Sequence, residues 1–350
     1  MAYNNTVDTL TLEDIAPQVV DTVLRTNRFA TMKLAKPRKF RAATVDFPIK
    51  YQKGTATQSF SGFDVLPTSF TDTRVLLKYN PKYYMANVAL AVTDIAANAT
   101  DRQVLSLVEV EMMSRAQDLA DGIGTMFYGD GTGNSSKDML GLQAIVDNGS
   151  TVSTIGGISR STYTTLASTV TASGGALTLY KMRTLYNAIG DAGAWPTIAL
   201  TDFTSWALYE TLLQPQERIA KDVTIASNYK GYTGFNMKAD GLSFAGLVVV
   251  PDRKCTSGYL YMLNDDFVNF YALDVLQNAG QNSMYGKAIK IGGKLFVGNQ
   301  YDQAENLGFF WSGWIKATNQ MAYNSFIVLG GNLLTDNPRR HGVLTGITTA

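Results

Sequence analysis

The sequence predicts an α+β fold organised around one long helix. Three observations carry that reading. Val104, Leu105, Val108, Met112, Ala116, Leu119, Ile123 and Phe127 step by three or four residues, drawing one apolar stripe along a helix over 99–127. Val45, Phe47, Ile49 and Tyr51 alternate with Thr44, Asp46, Pro48 and Lys50, the period of two of a strand. Residues 243–250 and 259–263 are mostly apolar, as in buried strands. They follow a helical stripe at Leu179, Met182, Leu185, Tyr186 and Ile189.

In chain order, residues 1–40 read as an arm. Its stretch 8–29 has a helical tendency interrupted by Pro17, and Lys36-Pro37-Arg38 breaks regular structure. Residues 41–93 read as a long hairpin, with return strands at 75–79 and 83–92 and a middle rich in Thr, Ser and Gly. Pro48 donates no ladder bond, which puts its strand at an edge. Two strands of this length are marginal alone, so the hairpin needs a partner surface. The helix over 99–127 starts at a Thr100 or Asp101 cap and ends before Gly129. About 29 residues give roughly 43 Å, the length of a strut. A central α/β region over 178–300 then begins with the stripe ending at Gly190. It continues through a strand at 196–201, an Asp202 cap and a helix at 203–213. Residues 214–240 read as a loop. Strands at 307–316 and 321–329 return the chain end to the part built on the long helix.

Composition narrows the function. The chain has 350 residues, enough for two or three domains. It is 45% hydrophobic, but only 17% charged against a usual ~25%. Much of its surface is therefore Ser, Thr, Asn, Gln and Gly, which suits a protein covered by neighbours. No apolar run approaches the ~18–20 residues of a membrane span, and no secretory signal is visible. A single cysteine, Cys255, excludes an internal disulfide and a Cys-rich zinc site, and points to synthesis in a reducing cytoplasm. Net charge is +1, yet residues 25–53 hold nine Lys or Arg against Asp46 alone. The segment 94–121 holds Asp94, Asp101, Glu109, Glu111, Asp118 and Asp121 against Arg102 and Arg115. A basic arm and an acidic helix attract each other between copies. A merely solvated arm and a nucleic-acid contact are the competing readings, although the arm lacks dense Lys/Arg clustering.

Catalytic patterns fail one by one. The only histidine, His341, sits in a polar tail, remote from any triad or zinc set. Residues 129–137 lack the Gly-Lys-Ser/Thr of a phosphate loop. Asp130, Asn134 and Asp138 lack calcium-loop spacing. Asp265-Asp266 and the Glu109/Glu111 pair read as solvated charges, and Cys255 as a loop cysteine. No catalytic, cofactor-binding or metal-binding residue is assigned.

What remains is the order of turns after the long helix. Phe127-Tyr128-Gly129-Asp130-Gly131-Thr132-Gly133 is followed by a short apolar strand at 140–146 and then by Ile155-Gly156-Gly157-Ile158-Ser159-Arg160, a turn that needs φ > 0. This order resembles the major capsid proteins of tailed double-stranded DNA bacteriophages, most clearly over 95–165. The resemblance implies the tailed-phage major capsid fold: an N-terminal arm (1–40), an extended loop (41–93), a peripheral domain with the spine helix (94–177 and 305–350) and an axial domain (178–304). It implies hexamers and pentamers of this chain in an icosahedral shell around double-stranded DNA, assembled in the bacterial host cytoplasm. Other expected partners are a portal, a decoration protein and a separate scaffolding protein, the last because only some 40 residues precede the hairpin, unless the chain is already processed. Lys50, Lys53 and Lys78 lie where some members crosslink, but no partner Asn or assisting acid is identifiable, and no crosslinking is expected. The intersubunit contacts expected from charge are Lys33, Lys36, Arg38, Lys39 and Lys53 against Glu109, Glu111 and Asp118. The alternatives are an encapsulin-like compartment of the same fold, a carboxylate-based α/β enzyme and a secreted adhesin.

Overall fold

The computed structural model describes residues 27–40, 42–54, 57–66, 68, 71–98, 107–172, 175–213, 242–273, 289–291, 294–296, 309–311 and 314–348. The helical tendency over 8–26, the start of the long helix at 99–106 and the loop at 214–240 lie outside them.

The chain enters at helix α1 (Arg28–Ala35), whose N-cap Asn27 accepts a hydrogen bond from Ala30 N–H. Lys36-Pro37 ends it, and strand β1 (Arg38–Phe40) follows. Among the described residues, strands β2 (Val45–Lys50) and β3 (Arg74–Tyr79) pair antiparallel with each other alone, so Pro48 sits opposite Leu76 on a two-stranded ribbon. Strand β4 (Lys82–Ala91) leaves that ribbon for a different sheet. A short helix, α2 (Val92–Asn98), follows the expected strand directly. Helix α3 (Leu107–Met126) buries Met112, Leu119 and Ile123, with Phe127 just beyond its end, as the stripe predicts.

The expected strand at 140–146 is instead a single helical turn, Leu142–Ile145. Gly141 decides this: a Cβ there would lie 2.4 Å from the carbonyl oxygens of both Met126 and Gly129. The close approach lets Leu142 N–H bond Phe127 O at 2.7 Å and closes the end of α3. Strands β5 (Thr154–Ile155) and β6 (Ile158–Ser159) form a tight hairpin through Gly156 and Gly157, at φ 54° and 78°. Strands β7 (Thr169–Thr171) and β8 (Gly175–Ala176) lead to helix α4 (Leu179–Asp191), capped by Thr178. Strand β9 (Ile198–Thr201) and helix α5 (Phe203–Leu213) follow. The expected single strand over 243–250 is two, β10 (Leu242–Phe244) and β11 (Leu247–Pro251), because Ala245 and Gly246 at positive φ turn the chain back. Next come β12 (Leu260–Leu263), β13 (Val268–Leu273), β14 (Ile289–Ile291), β15 (Lys294–Phe296), β16 (Phe309–Trp311), β17 (Ile315–Lys316), β18 (Ala322–Thr335), β19 (Gly342–Leu344) and β20 (Ile347–Thr348).

Among the described residues, two six-stranded sheets organise these elements. The first is built on β18, which runs 14 residues through Gly330-Gly331. One edge of β18 pairs with β4, and the other meets β17, β16 and β13 in succession, with β1 parallel to β13. The second has the order β10-β11-β9-β12-β19-β7. It takes β7 and β19 from outside 178–304, so the chain end closes this sheet as well as returning to the first.

The main core lies between the sheets. It joins Phe29 of α1, Leu119 and Ile123 of α3, Val88, Phe270 and Leu329 of the first sheet, and Ile198, Leu200, Tyr261 and Leu263 of the second. Ala199, Leu260 and Met262, which alternate with those residues, face Met182, Leu185 and Ile189 of α4 in a second core. Both faces of β9 and β12 are thus covered, which is why those segments are continuously apolar.

Candidate assembly surface

A third, smaller apolar cluster fixes the root of the β2–β3 hairpin. Leu77, Tyr79, Ile155, Leu166 and Leu334 are buried together, with Val45, Phe47 and Ile49 packed against them. Lys78 N–H bonds Gly156 O at 2.9 Å, and a Cβ on Gly156 would lie 2.8 Å from Leu77 Cβ. The Gly-Gly turn is therefore the seat of the hairpin, and its glycines permit both the turn and the contact.

Behind the turn, Arg160 is 1% exposed. Its guanidinium donates to Asp147 Oδ2 (3.2 Å) and to the carbonyls of Val152 (2.9 Å), Ala144 (2.6 Å) and Ile145 (3.2 Å). Asp147 also accepts from the N–H groups of Gly149, Thr151 and Val152 and from Ser150 Oγ. Burial pushes the Asp147 carboxyl up, but these donors outweigh it and hold it below the usual carboxylate range.

Beyond its root the described residues of the hairpin tip are bare. Residues 57–66 are exposed, and they include Phe60, Phe63, Val65 and Leu66. This apolar tip was hidden at the sequence level by the Thr, Ser and Gly around it. Four apolar residues within seven positions of a polar stretch are the signal that marks it.

The residues expected to contact other subunits fall into distinct settings. Lys33 is the correction. It is buried, and its Nζ pairs with Asp265 Oδ1 and donates to Val268 O (2.5 Å), within its own chain. Burial lowers its pKa against the opposing pull of Asp265. Packing causes this: Phe29, four residues earlier, lies edge-on to Phe127 at 6.0 Å, which draws the basic helix α1 onto α3 of the same subunit. Asp265, expected to be a solvated charge, is the partly buried partner of that pair. Lys36, Arg38, Lys39 and Lys53 are exposed. Arg38 donates to Tyr271 Oη at 3.1 Å and lies over its ring. On α3, Glu111 and Asp118 both approach Arg115, at 3.7 and 3.4 Å, so part of the acidity is met along the helix itself. Asp121 pairs with Lys254 at 2.7 Å. The Glu109 side chain lies outside the described residues.

His341 is a second correction. It is fully buried rather than in a polar tail, because the chain end joins the second sheet at β19. Its Nδ1 accepts from Asn264 N–H at 3.3 Å, and its Nε2 contacts Thr335 Oγ1 at 3.2 Å. Burial, and then the charge of Lys33, depress its pKa to about 3. Cys255 is buried too, and its thiol is pushed well up. Among the described residues no group of three or more His, Cys, Asp or Glu is placed to hold a metal, and no helix is long and apolar enough to cross a membrane.

No protein-family model and no curated protein matches the chain. Solved structures do, over almost their whole length. The cyanophage A-1(L) capsid asymmetric unit superposes with a TM-score of 0.73 at 15% identity, covering 99% of this chain and 100% of that one. The chain has the tailed-phage capsid fold. The same fold appears in the holo-SrpI encapsulin complex from Synechococcus elongatus, with a TM-score of 0.58, 8% identity and coverage of 100% and 99%. It appears again in the capsid of cyanophage P-SCSP1u, with a TM-score of 0.54, 12% identity and coverage of 98% and 95%.

Proposed function

We propose that this chain is a structural shell subunit, the major capsid protein of a tailed phage, which self-assembles into hexamers and pentamers of an icosahedral head around double-stranded DNA. The observation that carries the reading is the match to a capsid asymmetric unit over 99% of this chain and 100% of that one. The hairpin supports it independently, since its root is locked while its apolar tip is left open. A catalytic role finds no support in the histidine, whose two ring nitrogens are both engaged inside the core.

In this reading residues 1–40 form the arm, 41–93 the extended loop, 94–177 with 305–350 the peripheral domain, and 178–304 the axial domain, whose sheet is completed by β7 and β19. Scaffolding, portal and decoration proteins are the partners, and assembly takes place in the host cytoplasm. Lys36, Arg38, Lys39 and Lys53 meet acids of neighbouring copies, Glu109, Glu111 and Asp118 among them. Burial summed over many such contacts closes the shell.

Negative-stain electron microscopy and sedimentation of the purified chain test this. Closed polyhedral shells or capsomer rings are expected. A monodisperse monomer that neither scaffold nor crowding agent converts would overturn it. The encapsulin match favours a second reading, a protein compartment. Nuclease-resistant double-stranded DNA inside particles from the native source separates the two.

A further inference from the structure

The loop between the closing turn of α3 and the seat of the hairpin carries the one Asn-Gly step in the chain, Asn148-Gly149. Asparagine followed by glycine is especially prone to spontaneous deamidation, because glycine has no side chain to hinder attack by its own backbone nitrogen. The attack needs a free nitrogen and a free side-chain amide, and the fold engages both. Gly149 N–H donates to Asp147 Oδ2 at 2.9 Å, and Asn148 Oδ1 accepts from Ser150 N–H at 3.1 Å. Asp147 is itself fixed. Arg160 donates to it at 3.2 Å, and Ser150 Oγ, Thr151 N–H and Val152 N–H add further bonds. A carboxylate this close also opposes loss of the Gly149 proton, which would set two negative charges side by side. Asn148 is exposed, so water reaches it.

We propose that Asn148 is a latent deamidation site, held unreacted by the Asp147–Arg160 pair while the loop is closed and released when it opens. Once freed, Gly149 N gives up its proton and bonds to Asn148 Cγ. The Cγ–Nδ2 bond breaks, and that nitrogen leaves with the proton as ammonia. Water then opens the succinimide to aspartate or isoaspartate, with no oxidant or reductant. The change is irreversible. It adds a carboxylate beside Asp147, and isoaspartate also lengthens the main chain just before the three N–H groups that Asp147 accepts. The closed loop cannot re-form around it, so the reaction marks subunits in which this support of the hairpin has once opened. It depends on the single subunit and not on assembly.

Peptide mapping of unassembled subunits, incubated at mildly alkaline pH with and without urea, tests this, with isoaspartate quantified separately. Asn148 in the native chain should react slower than in the unfolded chain by about tenfold or more, the worth of one hydrogen bond to a charged group. Asp147→Ala, measured well below its own unfolding transition, should bring the native rate up toward the unfolded one. Asn134, also exposed and followed by Ser135, is the control in the same digests, and its rate should stay the same in native wild type and variant. Equal native and unfolded rates at Asn148 overturn the proposal. So does a native rate above the unfolded one, which would make Asp147 a base rather than a guard, and so does a native Asp147→Ala rate no higher than wild type. Should Asp147→Ala fail to fold, Asp147→Asn takes its place, with a smaller rise expected and no rise overturning the guard.

Discussion

Arg160 Nη1 lies 3.2 Å from Asp147 Oδ2 in a fully enclosed setting, and the pair ties the loop after α3 to the turn that seats the hairpin. Replacing Arg160 with Met keeps the apolar stem but leaves three carbonyls and a carboxylate short of a donor. A loss of about 3–5 kcal/mol is expected, since breaking one side of a buried pair strands the other. Urea unfolding of unassembled subunits measures it. A change below about 1 kcal/mol would mean that water takes over these bonds.

Lys33 and Asp265 offer a sharper test, because both partners can be neutralised together. Lys33→Met alone strands Asp265 Oδ1 in a setting where its side chain is 16% exposed. Adding Asp265→Asn should recover about 1 kcal/mol or more of that loss. A double-mutant cycle with no coupling would show that the pair contributes nothing beyond packing.

His341 predicts a pH dependence with a definite sign. Its pKa is about 3 in the fold and about 6.5 when unfolded. Below 6.5 the unfolded chain takes up a proton that the native chain refuses. Stability attributable to this residue is therefore full above pH 6.5 and falls as the pH drops toward 3, by up to about 1.4 kcal/mol per pH unit. Thermal unfolding of the subunit against His341→Asn between pH 7 and pH 4 should give a shallower slope for the variant. Identical slopes would refute the buried neutral imidazole.

Gly156→Ala should loosen the hairpin root. The position combines φ 54° with a Cβ site 2.8 Å from Leu77 Cβ. A destabilisation of about 1–3 kcal/mol is expected. Gly157→Ala, where a Cβ meets nothing within 4 Å, keeps only the backbone strain and should cost less. Equal losses at the two positions would show that contact with Leu77 is not what matters.

Much of the architecture was legible where one physical signal dominated. The stripe through Met112, Leu119 and Ile123 marked α3, and the alternation at Val45, Phe47 and Ile49 marked β2. Short apolar runs were less legible. Residues 140–146 fit a strand or a helical turn equally well until Gly141 is seen against Met126 O and Gly129 O. The settings of the proposed contact residues were not legible. Charge pointed to residues 25–53, but it could not tell Lys33, buried against Asp265, from Lys36 or Lys39, which remain exposed.

The sequence by itself determined the local periodicities, the glycine turns and the order of elements, because these depend on near neighbours and on backbone sterics. Tertiary structure alone decided that β4 leaves β3 for β18, that the chain end completes the second sheet and buries His341, and that the tip at 60–66 stays uncovered. Those outcomes rest on contacts between residues far apart in the chain. Burial depends on what arrives from a distance, and no local pattern encodes it.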